Sequence, residues 1–367
     1  MSQAGVPYLE LTAEFAELRD EWFAAIDAAG SKAAFILGDT VTAFEQQAAE
    51  YIGSKYALGV ANGTDALVLS LRALGVGPGD EVITSPFTFF ATAESISLVG
   101  ATPVFADVDA ESFNLDPQSV AAMITEKTKA ILPAHIFGHP ADMEALQQLA
   151  DQHDLVVIED AAQAFGARSG DDVVGSLGAT GCFSFYPAKT LGCYGDGGLV
   201  STSDESLLEH LKQLRNHGAV APFTHIEIGY NSRLDAIQAS LLSIKLKKFE
   251  ADMALRQQVA KWYDGCLSDS DAITPGRPKA GRHAFNLYTI RHARRDALRE
   301  ALTTANIGTN QCYPAGLHLQ QVYRYLGYQQ GDLPVVDQLC TETLSLPIFP
   351  GLTEEQVERV CRIVIEA

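Results

Sequence analysis

The sequence lacks the signals of several common protein classes. Its 367 residues include 46 acidic but only 26 basic ones, giving a net charge of −20, and no run of lysine or arginine is present. A nucleic-acid partner is not expected, because a polyphosphate backbone would be repelled. No apolar run approaches the ~20 residues that span a bilayer, and the N-terminus lacks the basic and apolar regions of a signal peptide. We expect a cytoplasmic protein with no membrane partner.

Cysteine pairing and several well-known motifs are also absent. The six cysteines form no CxxC pair, which favours free thiols in a reducing compartment. No GxxxxGKS/T loop, no GxGxxG after a strand and no GxSxG turn occurs, which disfavours P-loop, dinucleotide-binding and α/β-hydrolase sites. His135 and His139 have H-x3-H spacing, but no carboxylate or cysteine ligand lies at a supporting interval. We therefore predict loop or core roles for them and no metal site.

The composition and the hydrophobic pattern indicate a globular α/β protein. Apolar residues make up 47% of the chain and charged residues 20%, as in soluble domains. Between residues 56 and 200, short β-rich runs alternate with helical stretches, which predicts a mostly parallel sheet covered on both faces. The predicted strands are Ala57–Val60, Glu81–Thr84, Pro103–Ala106, Ala130–Pro133 and Leu155–Ile158. The predicted helices are Thr64–Leu74, Phe90–Val99 and Asp142–His153.

The rest of the chain predicts a second, smaller part. The length exceeds one typical domain core, and we interpret a long helical stretch over Arg233–Leu267 as the connector between two domains. A small α+β domain follows, with a strand predicted at Phe285–Ile290 and helices at Arg295–Ala305 and Thr353–Ile365. We therefore predict a large domain over residues 1–245 and a small domain over residues 246–367.

A candidate phosphate site lies between a predicted strand and a predicted helix, at residues 62–67. Backbone N–H groups at a helix N-terminus bind anions well. Gly63 permits a close turn, and Thr64 adds a hydroxyl donor. An ordinary helix N-cap is the alternative, because threonine is also a good capping residue.

Two further segments carry ionisable groups suited to chemistry. Asp160 follows an apolar strand, at the end where ligands of open α/β sheets lie. Its carboxylate can pair with a pyridine nitrogen and keep it protonated, although a helix-capping aspartate is the alternative. Lys189 lies beside an aromatic segment and a glycine-rich turn, and a lysine held near an aldehyde can form a Schiff base. An ordinary surface lysine is the alternative there, and Ser184 is a further candidate phosphate donor.

Taken together, these segments resemble the DegT-type sugar aminotransferase family over nearly the whole chain. The likeness is carried by ANGTDAL (61–67), SPFTFFATAE (85–94), VIEDAAQAFGA (157–167), SFYPAKTLGCYGDGGL (184–199), HG (217–218) and GYNSRLDAIQA (229–239). The resemblance implies a fold type I transferase dependent on pyridoxal 5′-phosphate (PLP), with a mostly parallel seven-stranded sheet and a smaller C-terminal α+β domain. It also implies a homodimer whose active sites lie at the subunit interface.

The resemblance implies roles for individual residues. Lys189 would anchor PLP covalently and move the proton, and Asp160 would meet the pyridine nitrogen. Phe89 would stack on the cofactor ring, or else be a core aromatic, and Gln163 would hydrogen-bond the ring hydroxyl. The remaining implied cofactor contacts are Gly63, Thr64, Asp65, Ser184 and, from the neighbouring subunit, Asn231. The implied substrate contacts are Tyr186, Arg233, Tyr313 and His318.

The resemblance also implies the substrates. L-Glutamate would supply the amino group, and a nucleotide-linked keto-sugar would then receive it. The GYNSRLDAIQA motif, with Leu234, resembles the branch that acts on 3-keto sugars. The segment around Lys189 resembles enzymes that aminate a UDP-linked 2-acetamido-3-keto-hexuronic acid for bacterial surface polysaccharide (lipopolysaccharide or O-antigen). Cys312 departs from the family pattern, which usually has histidine or tyrosine there, and this would change the contacts to the sugar.

Three alternatives stay open. One is a 3-keto or 4-keto 6-deoxyhexose linked to dTDP or UDP. Another is a PLP-dependent sugar dehydratase, which Lys189 disfavours because those relatives carry histidine at that position. The third is a non-catalytic regulator of the same fold, which is disfavoured because no DNA-binding domain is visible and the chain is acidic.

Overall fold

The structure is a computed structural model that describes residues 5–367. Three short 3-10 helices lie at Ile136–Gly138, Leu317–Leu319 and Gln321–Leu326. None of the described helices is both long enough and apolar enough to cross a bilayer. The α-helices of the described residues are α1 (Thr12–Ser31), α2 (Asp39–Ile52), α3 (Gly63–Ala73), α4 (Phe90–Leu98), α5 (Pro117–Met123), α6 (Met143–His153), α7 (Glu205–Arg215), α8 (Ala236–Leu267), α9 (Arg295–Thr304), α10 (Pro334–Glu342) and α11 (Glu354–Glu366).

The strands form one large sheet and three small ones. The strands of the described residues are β1 (Tyr56–Val60), β2 (Glu81–Thr84), β3 (Thr102–Phe105), β4 (Thr128–Leu132), β5 (Val156–Asp160), β6 (Arg168–Ser169), β7 (Asp172–Val173), β8 (Thr180–Ser184), β9 (Gly198–Thr202), β10 (Ala219–Ala221), β11 (Thr224–His225), β12 (Gly281–Arg282), β13 (Tyr288–Arg291) and β14 (Thr343–Leu346). The large sheet has seven strands in the order β1-β9-β8-β5-β4-β2-β3.

The large sheet is mostly parallel, as predicted. Strands β8, β5, β4, β2 and β3 pair in parallel. Only β9 runs against its two neighbours, β1 and β8. Strands β1, β5 and β8 therefore all end at the same edge of the sheet, where ligands of such folds bind.

Helices cover both faces of this sheet, because its side chains alternate between two apolar clusters. Along β8, Cys182 belongs to the cluster that contains Leu67 of α3. The next residue, Phe183, belongs to the cluster that contains Leu242 of α8. A sheet buried on both faces needs apolar residues at successive positions, which explains the short continuous apolar runs in the sequence.

A third apolar cluster forms in the C-terminal part of the chain. It contains residues from the second half of α8 and from α9, α11, β13 and β14. Val6 also packs in this cluster and bridges to Ile307, so the N-terminal segment joins the C-terminal part. Helix α8 runs continuously through the predicted domain boundary at residues 245 and 246, and the boundary stays a prediction.

The predicted elements match the structure in type, with small differences at their ends. The strand at Glu81–Thr84 has the predicted bounds, and β5 continues two residues further than predicted, to Asp160. The strand expected at Phe285–Ile290 begins only at Tyr288. Phe285 has a φ of 47°, which lies in the left-handed region and cannot continue an extended strand.

Candidate active site

A cavity of about 920 Å³ opens at the edge where β1, β5 and β8 end. Its wall includes the starts of α3 and α4 and, from the C-terminal part, Asn286 and Asn310. Ten of the thirteen residues predicted from the sequence line it. They are Gly63, Thr64, Asp65, Phe89, Asp160, Gln163, Ser184, Tyr186, Lys189 and Tyr313.

Lys189 lies on a tight turn after β8. Its backbone N–H donates to the Tyr186 carbonyl (2.9 Å), and a Cβ at Gly192 would come within 2.6 Å of the Pro187 carbonyl oxygen. Burial lowers the pKa of the Lys189 amine to about 8, although the nearby Asp160 charge acts in the opposite direction. More of this amine is therefore neutral near pH 7 than in an exposed lysine, which suits a nucleophile.

Asp160 ends β5 and lines the same cavity. The Thr92 hydroxyl donates to Oδ2 (2.7 Å), and the Ala162 backbone N–H donates to Oδ1 (3.1 Å). Thr88 contacts Thr92 in turn, with 3.0 Å between the hydroxyl oxygens. Burial raises the pKa of Asp160, while these donors and the Lys189 charge oppose the shift. A carboxylate in this environment is stabilised by a cationic partner in the cavity.

The predicted phosphate site has the geometry of an anion cradle. Asn62, rather than Thr64, is the N-cap of α3, and its side chain accepts the Asp65 N–H (2.8 Å). The N–H of Asp65, one of the implied cofactor contacts, therefore already has a partner. The N–H groups of Gly63 and Thr64 have no partner among the described residues. A Cβ at Gly63 would lie 2.7 Å from the Ser184 Cβ, so glycine is required where these two segments meet.

Gln163 and Phe89 both line the cavity. The Gln163 amide donates to the Tyr313 hydroxyl (2.9 Å), and its oxygen accepts the Phe137 N–H (2.8 Å). These contacts fix the orientation of the Gln163 amide. Phe89 is 60% exposed although it is a large apolar residue, so its ring is free to contact a bound group rather than being part of the core.

A buried carboxylate beside Asp160 holds the loop behind the site. Glu159 is fully buried, and the His135 ring donates to it (Nε2 to Oε2, 3.0 Å). This assignment follows because His135 Nδ1 accepts the Ala141 N–H (2.9 Å). The other donors to Glu159 are the backbone N–H groups of Gly175 (2.6 Å), Leu177 (2.8 Å) and Gly178 (2.6 Å).

The two histidines with H-x3-H spacing have partners within the fold. His135 bonds to Glu159, and His139 Nδ1 lies 3.2 Å from the Asn114 amide nitrogen. Across residues 5–367, no cluster of three or more histidine, cysteine, aspartate or glutamate side chains is arranged to hold a metal ion. The loop and core roles expected for these histidines agree with these contacts.

Three predicted site residues lie outside the cavity wall. Asn231 is exposed and pairs with Asn216 in an isolated bridge. The Arg233 guanidinium also contacts Asn216, at 3.5 Å. His318 is fully buried, 3.6 Å from Asp337, and its ring nitrogens make no hydrogen bond within the described residues. The structure therefore does not support direct contact between His318 and a substrate in this cavity, because surrounding residues enclose the ring.

A family model of known aminotransferases matches residues 16–365 of the chain, and its description is "DegT/DnrJ/EryC1/StrS aminotransferase family". The chain belongs to this family. The match covers both the sheet that carries Lys189 and the C-terminal part, and it confirms the resemblance seen in the sequence. The protein is therefore a transaminase.

Individual family members are similar along almost their whole length. A pleiotropic regulatory protein of Geobacillus stearothermophilus is 45% identical over 98% of both chains. A UDP-N-acetyl-3-dehydro-α-D-glucosamine 3-aminotransferase of Acidithiobacillus ferrooxidans is 44% identical over 98% of this chain and 97% of the relative. A UDP-2-acetamido-2-deoxy-3-oxo-D-glucuronate aminotransferase of Pseudomonas aeruginosa is 40% identical, over 97% and 98%. The crystal structure of DesV from S. venezuelae with a ketimine intermediate superposes with a TM-score of 0.97, at 41% identity, over 99% and 98%.

The family uses PLP, and the residues of this cavity fit that group. Lys189 offers an amine whose pKa is low enough for reaction with an aldehyde. Asp160 offers a buried carboxylate for a protonated ring nitrogen, and the N–H groups of Gly63 and Thr64, with Ser184, offer donors for a phosphate. The aldehyde, the ring nitrogen and the phosphate of the cofactor thus each have a complementary group in one cavity.

The structure also places in the site residues for which the sequence predicted no role. Thr92 lies within a quoted motif, but its contact with Asp160 depends on how α4 packs beside β5. Tyr8, Asn286 and Asn310 also line the cavity, and none belongs to a segment that carries the family resemblance. Only their placement in the folded chain identifies them.

Proposed function

We propose that this aminotransferase moves an amino group from L-glutamate to the C3 keto group of a UDP-linked 2-acetamido-3-keto-hexuronic acid, in bacterial surface polysaccharide biosynthesis. The names of the Pseudomonas and Acidithiobacillus relatives support a UDP-linked 2-acetamido-3-keto sugar. The observation that carries the catalytic assignment is the meeting of Lys189 and Asp160 in one cavity.

The chain's own groups suit proton transfer in such a reaction. Bound PLP supplies an aldehyde that accepts an amino group and a ring that stabilises negative charge on the neighbouring carbon. Lys189 Nζ, which burial makes easier to deprotonate, serves as the base that moves a proton between two carbons. Asp160 keeps a proton on the ring nitrogen. Thr92 and Ala162 orient the Asp160 carboxylate for that purpose.

We also propose a homodimer with shared active sites, in which Asn231 of each subunit completes the phosphate site of the other and Arg233 reaches the sugar. Among the described residues that line the cavity, Lys189 is the only lysine and none is an arginine. Yet glutamate and a UDP-sugar are both anionic, so cations from outside the cavity wall would improve their binding. The β10–β11 hairpin exposes Phe223 (98%), and the segment between this hairpin and Asn231 exposes Ile228 (83%), as expected of an interface.

The cellular setting belongs to the same proposal. We place the enzyme in the cytoplasm, with no nucleic-acid or membrane partner. All six cysteines are free thiols, which fits a reducing compartment. Detection of the enzyme in the membrane fraction of broken cells would contradict this placement.

The residues of the cavity also bear on the alternative functions, namely a different sugar substrate and a non-catalytic regulator. A dTDP- or UDP-linked 3-keto or 4-keto 6-deoxyhexose would use the same cofactor chemistry and differ only in the sugar contacts. A regulator has support in the name of the Geobacillus relative. However, Lys189 and Asp160 are both present with shifted pKa values, which favours an enzyme.

The decisive experiment is a product mass. Purified enzyme with PLP is incubated with glutamate and matched 3-keto and 4-keto UDP-sugars, with and without the 2-acetamido and C6 carboxylate groups. We expect the mass of the 3-amino product from the 2-acetamido-3-keto-hexuronic acid. Faster amination of a 4-keto sugar would overturn the choice of sugar, and no amination of any substrate would favour the regulator.

A further inference from the structure

The segment that carries Lys189 has no regular secondary structure of its own. It connects β8 to β9 over residues 185–197, and we call it the lysine loop. Inside this loop, the Lys189 N–H donates to the Tyr186 carbonyl (2.9 Å). The Cys193 N–H donates to the Phe185 carbonyl (2.8 Å). A loop with few backbone hydrogen bonds depends on side chains from other elements to fix its position.

Two residues of α8 hold the lysine loop from outside. Gln238 and Lys245 are seven positions apart and lie on the same face of this helix. Gln238 Oε1 accepts the Tyr194 N–H (2.9 Å), and Gln238 Nε2 donates to the Tyr194 carbonyl (3.4 Å). Lys245 Nζ donates to the Gly192 carbonyl (2.6 Å). Helix α8 therefore fixes the loop at two points, both of them after Lys189.

The hydrogen bond to Gly192 acts on the turn that carries Lys189. A Cβ at Gly192 would come within 2.7 Å of the Tyr186 carbonyl oxygen, which accepts the Lys189 N–H. It would also come within 2.6 Å of the Pro187 carbonyl oxygen. The backbone at Gly192 thus packs directly against the backbone that sets the place of Lys189. A shift of Gly192 would displace Lys189 as well, because no flexible side chain separates the two backbone segments.

Lys245 is an unusual residue for a purely structural position. It is 5% exposed, and its ammonium pairs with Glu14 of α1 and lies 4.6 Å from the centre of the Tyr194 ring. The Tyr194 hydroxyl also donates to Glu14 (3.0 Å). Replacing a buried ion pair by well-packed apolar residues is often neutral or stabilising. Stability alone therefore gives little reason for a charge here, whereas a directed hydrogen bond to the lysine loop does.

We propose that Lys245 is a positioning residue of the transamination. With Glu14 and Gln238, it holds the lysine loop so that Lys189 Nζ lies where it can react with the cofactor aldehyde and move a proton. The requirement is strict, because a displacement of about 1 Å can lower the rate of a reaction about 10²-fold. This role of Lys245 rests on the proposed role of Lys189 as the anchor.

The test uses Lys245→Met, which keeps an apolar side chain of similar length and removes the charge and the donor. In the cofactor-free protein, the pKa of Lys189 should rise from about 8 by at least about half a unit, because a displaced amine is less buried. The pH midpoint of acetic anhydride labelling at Lys189 measures this shift. The charged groups that act on the Lys189 amine are Asp160 and Cys312, not Lys245, so the shift reports the position of the loop.

The PLP-loaded enzyme supplies a second measurement, the glutamate half-reaction followed by its change in visible absorption. Lys245→Met should lower the maximal rate by about 10–100-fold and change the half-saturating glutamate concentration by less than about threefold. A selective rise in that concentration would place Lys245 with donor binding and overturn its positioning role. Gln238→Leu removes the bonds to Tyr194 and should change the labelling and the rate in the same directions. It decides the question if Lys245→Met does not fold.

Arg295→Met is the matched control. Arg295 is also a buried cation (6% exposed), and its guanidinium donates to the carbonyls of Cys340 (3.3 Å) and Thr343 (3.0 Å). It lies on α9, and none of these three residues lines the cavity. The control should lose stability in urea but keep the wild-type labelling midpoint and rate. Equal slowing by both methionine variants would show that Lys245 acts only through overall stability, which overturns the positioning role.

The remaining outcomes separate this role from the proposed function. If the reduced cofactor of the wild type maps to Lys189, an unchanged midpoint and rate in Lys245→Met and Gln238→Leu overturn the positioning role alone. A cofactor that maps to another lysine overturns the role of Lys189 together with it. If the wild type does not react with glutamate, the proposed donor fails, and the labelling midpoints still decide the role of Lys245.

Discussion

The amine of Lys189 titrates differently from an ordinary lysine side chain. Burial lowers its pKa to about 8, so it becomes neutral as the pH rises through about 8. In the cofactor-free protein, we expect acetic anhydride labelling of Lys189 to rise with pH and to reach half its plateau near pH 8. Quantitative mass spectrometry of the peptide that contains this residue measures the profile. A midpoint near the ordinary value of 10.5 would contradict the buried environment.

Asp160 provides a directional control for that titration. Its negative charge raises the pKa of Lys189 against the effect of burial. In an Asp160→Asn variant we therefore expect the labelling midpoint to move to lower pH, because the charged amine loses its partner. An unchanged midpoint would show that the two groups do not interact.

Lys189→Ala tests the anchor itself. The variant should lose the visible absorption that borohydride reduction removes in the wild type, and its amination rate should fall by at least about 10³-fold, because nucleophile and base are lost together. Reduction of wild-type enzyme followed by mass mapping should place the cofactor on Lys189. A reduced cofactor on another lysine would refute the assignment.

Substitution of Glu159 should destabilise the loop at residues 175–178, which its carboxylate holds. Its carboxylate accepts four hydrogen bonds in a fully buried position. A Glu159→Gln variant turns one acceptor oxygen into a donor that faces other donors. We expect the free energy of unfolding in urea to fall by about 1–3 kcal/mol. The exposed Glu126→Gln change serves as the matched control and should have almost no effect.

At the scale of elements, the β10–β11 hairpin and the segment that follows it carry a prediction about assembly. The exposed side chains of Phe223 in the hairpin and Ile228 after it should be buried against a second copy of the chain. Replacing both with serine should raise the dimer dissociation constant by at least about tenfold, while the circular dichroism spectrum stays native. Sedimentation velocity measures the dissociation, and Ile365→Ser, which changes an apolar residue 56% exposed on α11, is the control. An unchanged dimer would exclude the hairpin and the segment after it from the interface.

The sequence predicts some elements better than others for physical reasons. Continuous apolar runs identified β2, β4 and β5, because strands buried on both faces need them. Strands β8 and β9 contain glycine and small polar residues and were not predicted from pattern. Gly181 and Gly198 are required there, since a Cβ would come within 2.3 Å of Gly175 Cα and 2.4 Å of the Asn62 carbonyl. Glycine that permits a close approach weakens the local signal of a strand.

At the scale of the whole molecule, the proposed dimer would complete each active site. If Asn231 acts in the neighbouring subunit, a heterodimer of Lys189→Ala and Asn231→Ala chains contains one intact site. Each variant alone should be poorly active, and co-expression in equal amounts should restore about a quarter of the wild-type sites, since half of randomly formed dimers are mixed. No restoration in purified heterodimers would mean that the sites are not shared.

The limits of sequence prediction for the site also appear at this scale. Lys189, Asp160 and Ser184 are found because each lies in a motif next to a strand end. Tyr8 and Asn310 are about three hundred positions apart in the sequence, and only the packing of the N-terminal segment against the C-terminal part brings them to one wall. No local pattern encodes such a meeting.

The two sides of the cavity are formed by different parts of the chain. Lys189 and Asp160 lie at the end of the seven-stranded sheet, whereas Asn286 follows Phe285, a member of the C-terminal cluster, and α8 contributes residues to the clusters on both sides. Substitutions in the C-terminal part would therefore alter one side of the cavity while leaving Lys189 and Asp160 in place. Such an arrangement lets a lineage change its carbohydrate without having to reinvent the chemistry.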